Sequence, residues 1–188
     1  MSLNNYLLFI LLMLVIYFDV TKRKIPNFLT FPVMLWGLLS YTIIGRFDGF
    51  LFSLYGLLLG IVILLIPFAF GAMGGGDVKL LGAIGALKGA SFILVAAIYT
   101  AIFGGIIALL YLACKGRLLV TLKKGAGFVF RPFFTSLYYT FNKPVFNNIA
   151  LYFDTSQVLE REKPLYFPYG VPIALGTILA LIKGVTIF

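Results

Sequence analysis

Long apolar runs separated by short polar turns make up most of the chain, and they predict a bundle of membrane helices. A helix needs about 20 apolar residues to cross a hydrocarbon core of roughly 30 Å. Five runs reach or come close to that length: 3–18, 28–45, 50–70, 90–113 and 171–187. The run at 78–87 is too short for an ordinary span and predicts a sunken or re-entrant helix. We therefore expect an all-α membrane protein, a polytopic bundle of about six transmembrane helices.

One long segment contains no apolar run long enough to cross the membrane. Residues 115–165 are predicted to form a basic loop at the cytoplasmic membrane surface, because they contain eight Lys and Arg residues against three acidic ones, with aromatic side chains mixed in. We treat this loop as part of a single integral membrane domain that comprises residues 1–188.

Composition supports the membrane assignment and narrows the chemistry. The chain is 62% apolar and 11% charged, whereas soluble domains are about half apolar and a quarter charged. Its net charge of +9 is better explained by membrane orientation and anionic headgroups than by nucleic acid, which we do not expect as a partner. Histidine is absent and Cys114 is the single cysteine, so histidine catalysis, a thiolate zinc site and an internal disulfide are excluded. No metal or cofactor is predicted.

The distribution of cations predicts the orientation. With the N-terminus outside and six crossings, twelve Lys and Arg residues fall on the inner side and three on the outer side. Cytoplasmic loops carry this excess of positive charge. The same topology puts both Asp19 and Asp77 at the cytoplasmic face of the cell membrane.

These two aspartates are the strongest candidates for chemistry, since a carboxylate at membrane depth usually marks a working site. Asp77 follows a glycine run and could simply cap the next helix. Asp19 ends the first apolar run and could form a surface ion pair with Lys22 or Arg23. Alternatively, two carboxyls brought close together share one proton, which allows one to activate water while the other donates a proton.

Three motifs around these residues resemble those of the type IV prepilin peptidases, which are membrane aspartic proteases with a GxGD element. The matching positions are Gly74, Gly76, Asp77 and Lys79 in the glycine run, Asp19, Arg23, Pro26 and Asn27 in the first turn, and Gly170 in a closing Phe-Pro-Tyr-Gly segment. The resemblance implies that Asp19 and Asp77 are catalytic and that the other seven support the site or the substrate.

The resemblance also implies a reaction. The substrate would be a type IV pilin-like or preflagellin precursor, cleaved at the cytoplasmic face to remove a short basic leader. Larger family members carry a domain of paired cysteines, which this chain cannot form, and they also methylate the product. We therefore do not expect methyltransferase activity here. It is more similar to the compact Flp/Tad-type prepilin and archaeal preflagellin peptidases, and the resemblance leaves homo-oligomerisation open.

Two other classes of function remain open at this level. A small ion-coupled transporter also uses broken helices and membrane aspartates, although no internal repeat is visible and both aspartates fall at one face. A non-enzymatic assembly platform for a pilus or secretion machine is the third class.

Overall fold

Five helices make up the described part of the chain. The computed structural model describes residues 3–71, 73–114, 116 and 168–184. The helices are α1 (Leu3–Lys22), α2 (Asn27–Ala69), α3 (Gly75–Lys88), α4 (Ala90–Cys114) and α5 (Gly170–Ile182). Three of them, α1, α2 and α4, are long and apolar enough to cross a membrane. The prediction of an all-helical membrane protein is confirmed for these residues, and the 115–165 loop lies outside them apart from Gly116, which is in a turn.

Helix α2 reverses direction at Arg46, inside the turn that the sequence predicts. Arg46 has non-helical backbone angles, with φ 49° and ψ −129°. The rings of Tyr41 and Phe52 lie with centroids 4.9 Å apart, whereas 11 residues of straight helix would separate them by roughly 16 Å. The two arms of α2, residues 27–45 and 47–69, are therefore antiparallel.

Helix α3 forms the centre of the packing. Every residue from 80 to 87 is buried, so more than two turns have no side facing outward. Glycines permit this, because both arms of α2 approach the α3 backbone where a side chain would not fit. A Cβ on Gly37 would lie 2.7 Å from the Ala86 carbonyl oxygen, and a Cβ on Gly56 only 2.1 Å from that of Gly85. The short apolar run is thus the most enclosed helix of the described residues.

Contacts at the two ends of α3 fix the direction of its neighbours. At its C-terminal end, the Lys88 ammonium donates a hydrogen bond to the Asn5 side chain, near the start of α1. Asp19, in the last turn of α1, interacts with Asp77 in the first turn of α3. Helix α1 is therefore antiparallel to α3.

Helix α5 begins at the same end as Asp19, because the Gly170 amide contacts the Asp19 side chain. It packs closely along α4, where a Cβ on Gly176 would lie 2.5 Å from the Thr100 amide nitrogen. The helix ends at Ile182, earlier than the apolar run predicts. Lys183 and Gly184 form a turn there, and Gly184 has a left-handed φ of +64°.

The chain divides into two compact units. One comprises Met1–Ile106 with Tyr166–Phe188, and the other comprises Ile107–Leu165. All the candidate site residues belong to the first unit. Whether 1–188 behaves as one domain stays a prediction.

Candidate active site

Asp19 is held in the interior by the start of another helix. Its side chain is only 2% exposed, and the Gly170 amide donates a hydrogen bond of 2.7 Å to its Oδ2. Gly170 is the first residue of α5, where unpaired amides and the helix dipole favour a negative charge. A Cβ at this position would lie 2.7 Å from Oδ2 and 3.0 Å from Cγ of Asp19. Only glycine therefore leaves room for the carboxyl group.

Asp77 is buried at the start of α3, with 8% of its surface exposed. The Gly74 amide donates to Asp77 Oδ2 at 3.0 Å, and the Asp77 amide donates to the Gly74 carbonyl oxygen at 3.1 Å. The side chain thus caps its own helix, which was one of the alternatives. This bond uses one carboxyl oxygen, so capping does not prevent a chemical role.

The electrostatics link the two acids. Asp77 lies outside the three membrane-length helices, and burial raises its pKa from 3.8 to about 6. The Gly74 hydrogen bond acts in the opposite direction, and the nearby charge of Asp19 adds a further increase.

Tyr169 is a site residue that the sequence interpretation missed. This half-buried residue is the N-cap of α5. Burial raises the pKa of its phenol, and the charge of Asp77 raises it further. Tyr169 and Gly170 therefore bring one helix start against both aspartates. The available signal was position alone, since Tyr169 lies inside the closing motif directly before Gly170.

The first two motifs are joined by direct contacts between the α1–α2 turn and the start of α3. Ile25 is buried against Gly76, whose Cβ would lie 3.0 Å from that of Ile25. The Lys79 ammonium donates to Asn27 Oδ1 at 3.0 Å and lies 5.4 Å from the centroid of the Phe31 ring. Lys79 thus links α3 to α2.

The remaining two predicted residues shape the turn between α1 and α2. Arg23 adopts a left-handed φ of 54°, and its amide donates to the Asp19 carbonyl oxygen at 3.1 Å. Pro26 is the N-cap of α2, with extended backbone angles. Together they reverse the chain within a few residues and return it toward α3.

The groups available for catalysis at this site are the carboxyls of Asp19 and Asp77. Across the described ranges, no group of three or more His, Cys, Asp or Glu side chains is placed to hold a metal ion. Two acids that share a proton can act as general base and general acid toward the same bond.

Comparison with known families agrees with this chemistry. The model of the type IV leader peptidase family matches residues 6–109 of the chain. The chain belongs to the type IV leader peptidase family. The family match contains Asp19, Asp77 and the contacts between the first two motifs, and it ends before Gly170. The resemblance found in the sequence is thereby confirmed at family level, and the chain is assigned to a family of proteases. No curated protein and no solved structure matches it.

Proposed function

We propose that this leader peptidase is a membrane aspartic endopeptidase that removes the short basic leader from type IV pilin-like or preflagellin precursors. The observation that carries the proposal is the electrostatic interaction between two buried carboxyls, Asp19 in the last turn of α1 and Asp77 in the first turn of α3. The assignment to a peptidase family supports it, and nothing in the comparisons supports an ion-coupled transporter.

The reaction needs a water molecule placed between the two acids and the scissile carbonyl carbon. One carboxylate removes a proton from water as its oxygen attacks, and the other carboxyl protonates the carbonyl oxygen. Burial makes the charges and hydrogen bonds at the site stronger than they would be in water. The glycines at 74 and 76 and Gly170 keep the space around the acids free of side chains.

The topology we propose has six crossings, with the N-terminus outside and the active site at the cytoplasmic face of the cell membrane. The crossings would be provided by α1, α4, α5, the two arms of α2 and the apolar part of α3 at residues 78–87, which begins directly after Asp77. Three consecutive cations, Lys22, Arg23 and Lys24, lie three to five residues after Asp19. Arg46, Lys88 and Lys183 belong to the opposite side in this topology, which keeps the excess of positive charge inside.

Cleavage of a purified candidate precursor tests the proposed reaction. Mass analysis should find a single cut that releases the basic leader. Asp19→Asn and Asp77→Asn should each abolish cleavage while insertion and folding stay normal. Asp48→Asn is the matched control, because Asp48 is an exposed aspartate of the outer turn. Full cleavage by either of the first two variants would reject this active site.

Cysteine labelling tests the orientation separately. Lys24→Cys and Asp48→Cys, each in a Cys114→Ser background, place one exposed thiol on either proposed face. A membrane-impermeant thiol reagent should label Lys24→Cys only in inverted vesicles and Asp48→Cys only in right-side-out vesicles. The opposite result would place the acids on the outer face.

A further inference from the structure

We propose that the C-terminal end of α3 carries a phospholipid-binding site, in which the Lys88 ammonium holds the phosphate of a lipid from the outer leaflet. The inference goes beyond the proposed function, because it concerns the end of α3 opposite Asp77 and involves neither aspartate. Only the name of the leaflet depends on the proposed orientation.

The carbonyl groups at this end of α3 already have other donors, so Lys88 is not needed to cap the helix. A helix leaves its last carbonyl groups without partners in its own backbone, and a basic side chain can satisfy them. Here the Ser53 hydroxyl donates to the Ala86 carbonyl oxygen at 2.8 Å, and the Tyr41 hydroxyl donates to that of Leu87 at 3.0 Å. Both donors come from α2, which leaves the ammonium available for another acceptor.

The described residues satisfy this ammonium only in part. Lys88 is half-buried, and an ammonium has three hydrogens to donate. Asn5 Oδ1 accepts one of them, and the centroid of the Phe92 ring lies 5.6 Å from Nζ. No carboxyl group in the described part of the chain pairs with it. A partly buried charge is stabilised by an opposite charge, and the two remaining hydrogens suit an anion with several oxygens.

The neighbours of Lys88 indicate the level of the lipid headgroups. Asn4, which precedes Asn5 at the start of α1, accepts a hydrogen bond of 3.2 Å from the Trp36 indole. Trp36 and Tyr6 are both exposed, and these two residue types are enriched at membrane–water interfaces. The anion that a bilayer supplies at this level is the phosphate of its phospholipids.

The proposed site joins three helices. Asn5 belongs to α1, Lys88 to α3 and Phe92 to α4, and all three surround the same ammonium. A phosphate on Lys88 would add a charge-assisted hydrogen bond at this junction. Because the junction exists only in the folded chain, the bound lipid should raise its stability.

Thermal unfolding of the purified full chain in one detergent, with added lipid, measures the site. Phosphatidylglycerol should raise the Tm of the unaltered chain more than diacylglycerol with the same acyl chains, which lacks the phosphate. Lys88→Gln keeps a donor for Asn5 but removes the charge, so the affinity for phosphatidylglycerol should fall on the order of 10-fold or more. Lys183→Gln is the matched control, because Lys183 is an exposed lysine on the same proposed face, and its affinity should equal that of the unaltered chain.

Equal affinity of Lys88→Gln and the unaltered chain would overturn the inference. If Lys88→Gln fails to fold, solid-state NMR of the unaltered chain with nitrogen-15 in its lysine side chains decides instead. Lys88→Arg identifies the Lys88 signal by removing it. In phosphatidylglycerol bilayers the lipid phosphorus should dephase that signal, and a Lys88 signal without dephasing would reject the site.

Bilayers of a phosphate-free glycolipid distinguish a lipid phosphate from a free anion. There the dephasing of the Lys88 signal should vanish, and inorganic phosphate should not restore it. Restoration would show a site for free phosphate and contradict the proposed lipid. Neither measurement depends on cleavage, so a chain that binds the lipid at Lys88 but cuts no precursor would refute the proposed function alone.

Discussion

The contact between Gly56 and Gly85 predicts that one added methyl group in α3 will destabilise the protein. A Cβ on Gly85 would lie 2.0 Å from the Gly56 carbonyl oxygen, about 1.4 Å short of ordinary contact at 3.4 Å. Both partners are backbone, so no side chain can move aside. In Gly85→Ala, α3 and the second arm of α2 must therefore separate by roughly 1 Å, which forfeits much of the dispersion energy along their contact.

The magnitude follows from two opposed effects. Overpacking a well-filled core costs about 1–3 kcal/mol and sometimes more, whereas alanine is better than glycine in a helix by about 1 kcal/mol. Because the clash here is between backbones, we expect the upper end of the difference, a net loss of about 2 kcal/mol. For a chain of this size, this corresponds to a fall in Tm of roughly 4–8 °C.

Gly105→Ala is the control, since a Cβ on Gly105 in α4 has no neighbour within 4 Å. That variant should keep or slightly raise the Tm, because it gains helix propensity without a clash. Thermal unfolding of both variants in the same detergent is the assay. A Gly85→Ala protein as stable as Gly105→Ala would refute the close packing of α2 against α3.

Three further predictions concern single sites. Arg46 has the backbone angles of the first central position of a type II′ turn, a position that favours glycine. Arg46→Gly should therefore stabilise the protein by about 1 kcal/mol. A lower Tm of this variant would contradict the hairpin in α2. The raised pKa of Asp77 makes its contribution to stability complete below about pH 4 and lost as the pH rises through about 6. The stability of Asp77→Asn relative to the unaltered chain should therefore increase over that interval, and a constant difference would show that Asp77 titrates normally. The exposed bond between Lys79 and Asn27 should give a coupling below about 1 kcal/mol in a double-mutant cycle with alanine, and a larger value would indicate that Lys79 also acts through another group.

Apolar length alone predicts most of the helices in the described part of the chain. The runs at 3–18 and 90–113 became α1 and α4, and the polar residues Arg46 to Gly49 predicted where the chain turns. The enclosure of α3 was harder to foresee. Its residues are apolar on every side, a pattern shared by lipid-facing and fully packed helices, and only the glycines of α2 that oppose it distinguish the two.

The sequence predicted those site residues that lie within short local motifs. Asp19 and Asp77 were each marked by a costly charge beside an apolar run, and the structure brings them into electrostatic contact. The hydrogen bond from Gly170 to Asp19 joins residues 151 positions apart, which no local pattern specifies. Tyr169 escaped notice because a tyrosine near a membrane surface is ordinary, and its relation to Asp77 depends on where α5 begins.

The enclosure of α3 also has a consequence for biogenesis. Its 14 residues are fewer than the roughly 20 of an ordinary membrane-spanning helix, and they carry charges at both ends. Such a segment is a weak signal for insertion by itself, so in the proposed topology we expect α3 to enter the bilayer together with its neighbours. The hairpin of α2 is synthesised immediately before it and offers the groove that it fills. In that order of events the acid on α3 would arrive in an environment that the protein has already built, rather than being exposed alone to lipid.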